Sequence, residues 1–325
     1  MQVTPKQIYD VSKAALIAHG AGDFQASEVA RATARAEELG NVICGLYYLE
    51  SYCIQLVSGR VRGQVEPVVS RPKPGAVTSD AQFGFAQPAF ARALPEALQA
   101  ARENGVATLA VAHSHTCTSV GFFTEQIAAE GLIGIGMTNA SPIVAPPGGN
   151  KAVVGTNPIA MTIPGENGPR MHFDFSTSAV ALGKITMAKA AGEKIPLGWA
   201  VDENGAPTDD PEAALRGALV SAGGYKGWGL GLMVEMFAAG LTGSVNSLDV
   251  KGLKLADGKP HDLGQFYIII DPGTHADTLG ARFERVAEAV ALQEGARIPG
   301  ASRKEKELVD VPDALWSLVT KLAGG

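Results

Sequence analysis

Between residues 106 and 178 the chain alternates short apolar runs with helical ones: VATLAVAH, GFFTEQIAAEG, LIGIGMTNASP, AVVGTNPIAMTIPG and MHFDFSTS. That alternation predicts a mixed α/β layer. Yet no strand opens onto a GxGxxG turn, and no GxxxxGK(S/T) is present, so neither familiar phosphate-binding loop is signalled. In their place stands APPGGNKAVVGTNPIAM at 145–161, two glycine/proline clusters split by an apolar run. Such clusters are ordinary turn punctuation or places where backbone approaches a ligand closely.

The flanks read as helical. Thr4 before Pro5 is a helix start, with apolar spacing kept to Gly20. Further helices are predicted at about 27–39, with Glu/Arg pairs on the outer face, and at 47–58, 88–105 and 183–196. Residues 59–70 read as extended chain and 198–217 as a polar connector around Asn204–Gly205. GYKGWGLGLMVEMFAAGLTG is predicted to be a glycine-studded buried helix, and HDLGQFYIIIDP a strong strand before a helical end. The expected organisation is an α/β domain over 76–244, with 1–75 and 245–325 packed together as a helical, substrate-side unit.

A hydrophobic fraction of 46% against 18% charged residues indicates a chain that buries a core. The formal charge of −6 and the lack of a dense Lys/Arg run argue against nucleic acid. The longest apolar stretch, Gly229 to Leu241, contains Glu235 and is too short to cross a bilayer, so no membrane is expected. Cys44, Cys53 and Cys117 form no CxxC and have no zinc-spaced histidine pair. With no secretory h-region at the start, the expectation is a reducing cytoplasm and no metal.

Four stretches carry possible chemistry. In AHSHTCTSVGFF a strand runs through His113, Ser114 and His115 into a helix start, which suits an anion or acid/base work and equally suits a helix cap. Asp174, Ser176, Thr177 and Ser178 follow another strand and fit either a cap or a ribose site. GGYKGWG sets Lys226 among glycines. In RIPGASRKEKE, Arg297, Ser302 and Arg303 flank a Pro-Gly turn. Each is weak alone, but lining one cleft they would suit a dinucleotide.

Taken in order, GLIGIGMTNASPIVAPPGGNKAVVGTNPIAM, DFSTSAVALGKITMAKAAGEKIPLGWAVDENGAPTDDP, GGYKGWGLGLMVEMFAAGLTG, LGQFYIIIDP and RIPG resemble the second family of NAD(P)-dependent malate/lactate dehydrogenases. That family also holds ureidoglycolate and sulfolactate dehydrogenases and the Δ1-pyrroline- and Δ1-piperideine-2-carboxylate reductases. The resemblance implies a non-Rossmann dinucleotide domain on a largely antiparallel sheet, and a homodimer whose partner helps close the site. It implies NADPH or NADH as cofactor, held by Thr116, Cys117, Thr118, Ser119 and Val120, by Asn139 and Ser141, and by Asp174, Phe175 and Ser176. Lys226, Gly227, Arg297, Pro299 and Gly300 complete that set, and Thr156 would lie near a small carboxylate substrate.

The chain departs from the family at the catalytic positions. Where most members carry Ser-His-Gly with an arginine three residues on, it reads Ile43-Cys44-Gly45-Leu46-Tyr47-Tyr48. The aspartate of one imine-reductase branch is Lys184, and a second family histidine falls on Thr116, directly after His115. The expectation is therefore hydride transfer with His115 as acid/base, Cys44 and Lys184 as further catalytic candidates and Tyr48 at the substrate. A 2-oxo acid has the larger family weight; a cyclic imino acid is the alternative, because an iminium already carries its proton. A nucleotide-binding homologue with impaired catalysis is the third reading.

Overall fold

The computed structural model describes residues 1–301 and 303–324; Ser302 lies outside them. Strand β1 (Gln2–Val3) leads into α1 (Pro5–Ala18), whose Thr4 side chain accepts from Gln7 N–H while Gln7 reaches back to Thr4, a reciprocal cap. Helix α2 (Asp23–Glu38) starts earlier than its polar pattern suggests. Two short 3₁₀ turns, Val42–Cys44 and Leu46–Tyr48, precede α3 (Leu49–Val57). Most of 59–70 is irregular, and extended pairing begins only at β2 (Val68–Lys73).

The main sheet continues with β3 (Ala76–Asp80), and α4 (Ala86–Asn104) crosses to β4 (Val106–Ser114). Then come α5 (Gly121–Ala129), β5 (Ile133–Thr138), β6 (Ile159–Ile163) and β7 (Met171–Phe175). Helix α6 (Leu182–Ala191) is followed by β8 (Ala200–Val201), α7 (Pro211–Arg216) and β9 (Ala218–Leu219). The connector expected there thus holds a helix and a small β-pair. Helix α8 (Tyr225–Glu235) runs into a π-helical turn, Met236–Gly240. The chain closes with β10 (Leu263–Ile270), α9 (Leu279–Ala291), β11 (Val309–Asp310) and α10 (Asp313–Leu322).

The large sheet has the order β2-β3-β4-β10-β5-β6-β7, and only β3 and β4 run parallel. This is the mixed α/β, largely antiparallel fold expected. Its centre is β10, paired antiparallel with both β4 and β5. Tyr267 and Ile269 face α4 and α5, while Phe266 and Ile268 face α8 and its π turn. An apolar run such as YIII is what a strand buried on both faces needs.

The termini pack together as expected: β1 pairs with β11, and α1 packs against α10 around Ile8, Leu16, Tyr52 and Val319. The boundary expected at 245 does not follow the sheet, because β10 lies at its centre and β2 at its edge. The 224–243 helix also departs from expectation. Tyr225, Leu230, Met233, Met236 and Leu241 are exposed, so one face packs on β10 while the other is uncovered.

Candidate active site

Residues 172 and 174 lie on one face of edge strand β7, by the two-residue period of a strand. Asp174 Oδ2 accepts from the Gly121 N–H and from Ser119 Oγ, each at 2.8 Å. A carboxylate from β7 therefore caps α5, whose own N-cap, Val120, has no side-chain acceptor. Burial pushes the Asp174 carboxyl upward, opposed by the Gly121 and Ser119 hydrogen bonds. On the outer side of β7 the His172 N–H donates to the Pro299 carbonyl at 3.1 Å. Gly300 has φ +89°, and a Cβ there would meet His172 O at 2.9 Å, so the RIPG turn needs its glycine to lie against the strand.

These contacts build a cleft of about 700 Å³ lined by Ser119, Asp174, Phe175, Arg297, Pro299 and Gly300, six of the residues expected to hold the cofactor. Its wall also takes Arg303, Lys304 and Lys306, with Phe122 and Phe173 as apolar surface. Arg35 and His172 line it too and had not been singled out in the sequence. Arg35 looked like one member of a surface pair; instead it bonds Glu38, Glu125 and Glu305, and Glu125 also pairs with Arg303. His172 had a signal, the strand period that sets it beside Asp174. Burial, and then the charge of Arg303, push its ring down to about 3.

Other expected residues join the same region through the backbone. The Thr156 carbonyl accepts from Thr177 N–H and Oγ1, and the Thr177 carbonyl accepts from Ala222 N–H. That ties the GTNP stretch and the start of α8 to Ser176, which follows β7. Asn157, at φ +40°, donates to the Gly231 carbonyl and to Glu235, fixing GTNP on α8. At Gly227 a Cβ would sit 1.8 Å from Ala222 O. Ser141 is half-buried beyond β5, and Lys226 and Lys184 are exposed in the first turns of α8 and α6. Gly183 places the start of α6 against Ile43.

Four expected contacts have other employment. Asn139 donates to the Val245 carbonyl and accepts from Gly264 N–H, so both ends of its amide hold the fold. Val120 is a core side chain and Thr116 is buried. His115 is 1% exposed, and its N–H donates to the Gly84 carbonyl, which turns the ring inward. There its Nε2 meets Gln55 Oε1 at 2.5 Å, and its ring touches Tyr52, Phe85 and His261. Burial, His261 and Arg60 hold it neutral, well below the ordinary histidine range. It does not line the Asp174 cleft.

Cys44 and Cys117 lie within electrostatic reach of Asp174, and Tyr48 and Tyr52 lie beside them, though none of the four lines the cleft. Burial pushes the Cys44 thiol up to about 12, helped by the negative charge of Asp174. Burial and then Cys44 raise Tyr48 to about 12 as well, and Cys117 is also raised to about 12. Thr118 sits at φ +63°, a left-handed conformation that a β-branched residue adopts only under constraint. Its Oγ1 donates to the Cys117 carbonyl at 2.6 Å.

A largely antiparallel sheet with helices on both faces and a cationic cleft at its edge strand is the architecture expected of the non-Rossmann dehydrogenases that the sequence resembles. The chain belongs to the malate/L-lactate dehydrogenase family, whose model matches residues 3–315. It is 37% identical over 318 residues to a (2R)-3-sulfolactate dehydrogenase (NADP(+)) of Chromohalobacter salexigens, covering 96% of this chain and 95% of that one. It is 38% identical over 281 residues to a Δ1-pyrroline-2-carboxylate/Δ1-piperideine-2-carboxylate reductase of Pseudomonas aeruginosa, covering 83% and 84%. Among solved structures, a Δ1-piperideine-2-carboxylate reductase from Pseudomonas syringae superposes with a TM-score of 0.92 at 33% identity, over 99% of both chains.

Proposed function

We propose that this oxidoreductase reduces the C=N bond of a small cyclic imino carboxylate, with NADPH or NADH as hydride donor. The observation that carries this reading is the Cys44 loop: around the position where family members hold a histidine, Cys44, Tyr48 and Cys117 are all pushed up to about 12. A carbonyl that accepts hydride leaves an alkoxide in need of a donor with a pKa near neutrality. A protonated iminium brings its own proton, so neutral, buried side chains suffice. Relatives named as pyrroline-2-carboxylate reductases support the reading.

The cleft residues fit a dinucleotide. Arg297, Lys304 and Lys306 would meet its phosphates, and Phe175 offers an exposed aromatic face. The cationic rim favours NADPH, as does the NADP(+) named for the sulfolactate dehydrogenase. The bound nucleotide would supply hydride from its reduced ring. Asp174 holds the Ser119–Gly121 turn, Thr156 and Ser176 stand beside it, and Tyr48 offers a hydroxyl to the substrate carboxylate in place of a guanidinium fork.

The test is turnover on Δ1-pyrroline-2-carboxylate and Δ1-piperideine-2-carboxylate against pyruvate, oxaloacetate and sulfopyruvate, followed by cofactor absorbance. The imines are expected to exceed the oxo acids in kcat/KM by at least ~10²-fold, within the range that general acid catalysis contributes. The sulfolactate dehydrogenase likeness favours the second reading, 2-oxo acid reduction, which faster turnover of an oxo acid would establish in place of the first. Binding of NADPH without turnover of any of the five would leave the impaired homologue. Cys44→His restores a titrating donor, and its pyruvate activity is expected to rise by about 10-fold or more.

The uncovered face of α8 supports a homodimer, because an apolar strip of Leu230, Met233, Met236 and Leu241 is the kind of surface a second copy covers. Met236→Glu is expected to halve the mass measured by light scattering and to lower turnover several-fold. An unchanged mass would count against this interface. No described helix is long and apolar enough to cross a membrane, and no described cluster of three or more His, Cys, Asp or Glu could hold a metal ion.

A further inference from the structure

A second cavity, of about 960 Å³, lies between the segment after α3 and the loop 245–262, apart from the Asp174 cleft. The loop hangs on two side chains. Gln55 Nε2 donates to the Leu253 and Leu255 carbonyls at 2.9 and 2.7 Å. Arg60 donates through Nε to Lys259 O and through Nη1 to Gly252 O and Leu255 O, at 2.7–3.1 Å. Arg60 is 2% exposed, yet every partner found for it among the described residues is a neutral carbonyl. Asp257 acts on it through space without a direct ion pair, so the buried guanidinium has no described carboxylate in contact with it.

His261 lines the same cavity and is 3% exposed, and neither of its ring nitrogens has a hydrogen-bond partner. Stacking on His115, 4.1 Å away and 8° from parallel, fixes the plane in which those nitrogens point. Buried polar groups left in this state mark a missing partner. The neutral ring still has one N–H to give and one nitrogen to accept.

We propose that this cavity binds a small organic carboxylate, seated on the Arg60 guanidinium and the His261 ring N–H. Arg60, Arg62, Lys251 and Lys259 in the wall outnumber its three aspartates by one, and a single carboxylate balances that difference. Asp249, Asp257 and Asp262 disfavour the second charge of a phosphate dianion, and Phe83, Val250 and Leu255 offer apolar surface to a carbon body. Tyr52 and His115 stand between the cavity and Tyr48, with ring centroids 5.5 and 5.7 Å apart along the column, so the site is distinct from the reaction cleft. The same loop carries Lys254, whose Nζ donates to the Tyr47 carbonyl at 3.1 Å and lies over the Tyr47 and Tyr48 rings. An occupant that pins the loop is thereby linked to Tyr47 and Tyr48.

Benzoate titrated calorimetrically into the full chain saturated with NADPH is the test, with inorganic phosphate as comparator. One benzoate per chain is expected. His261→Phe keeps the ring stack but removes the N–H and should weaken binding at least 10-fold. Arg60→Lys, which keeps a charge, should weaken it several-fold and serves if the first variant does not fold. Tyr48→Phe should leave benzoate affinity unchanged. No benzoate binding, equal affinity in the His261 and Arg60 variants, loss in the Tyr48 variant, or tighter binding of phosphate would each overturn the proposal.

Discussion

Asp174→Ala is expected to weaken NADPH binding at least ~10-fold, about 1.4 kcal/mol, and to lower the melting temperature as well. Among the described residues the carboxylate is the one acceptor for both the Gly121 N–H and Ser119 Oγ. Removing it leaves two donors facing a half-buried wall, at about 1–3 kcal/mol for each that stays unmet. It also removes the negative charge at the start of α5, worth about 0.3–1 kcal/mol. The loss falls on the strained turn through Thr118, so the cleft wall loosens even if the sheet survives. Asp174→Asn keeps an acceptor oxygen and should recover most of the melting temperature. Fluorescence titration with NADPH reads the effect, and an alanine variant that binds as tightly as the parent would contradict it.

A second large effect is expected in mild acid. His115, His172 and His261 are buried and neutral, and burial sets His172 and His261 at about 3 and His115 well below its ordinary value. Unfolding releases all three to a pKa near 6.5. Below that value the unfolded chain binds protons the folded chain refuses, so stability present above pH ~6.5 is lost as pH falls. Each group contributes a slope of about 1.4 kcal/mol per pH unit, and three together up to about 4. Glu37 and Asp174, both raised by burial, oppose part of this because the fold takes up their protons more readily. Against a stability of about 5–15 kcal/mol, circular dichroism should show co-operative unfolding between about pH 6 and pH 4. His261→Phe should move the midpoint to lower pH, and a fold intact at pH 3.5 would contradict the expectation.

Much of the architecture was legible because its signals are local. Short apolar runs marked β4, β5, β7 and β10, and the Thr4-Pro5 cap marked α1. The convergence of Ser119, Asp174 and the RIPG turn on one cleft followed from motif order, since each sits at an element end feeding the β7 edge. Long-range packing stayed hidden. Nothing in GRVRG distinguishes buried Arg60 from a solvated arginine, and Arg35 looked like one half of an ordinary helix-surface pair. His115 looked available because it precedes a helix; one backbone bond to Gly84 turns it into the core instead. The exposed side of α8 was read as core because its apolar residues do not reveal what covers them.

The centre of the sheet is the last of its seven strands to emerge during synthesis. Until residues 263–270 arrive, β4 and β5 each present an open edge about one strand apart, and the two halves of the layer have nothing to join them. Such a chain condenses late, and its folding carries the entropic penalty of pairings more than a hundred residues distant. A ribosome paused before β10 holds two sticky edges in register for the same missing segment. That makes arrested nascent chains the stage at which this protein is most prone to pair with a neighbour.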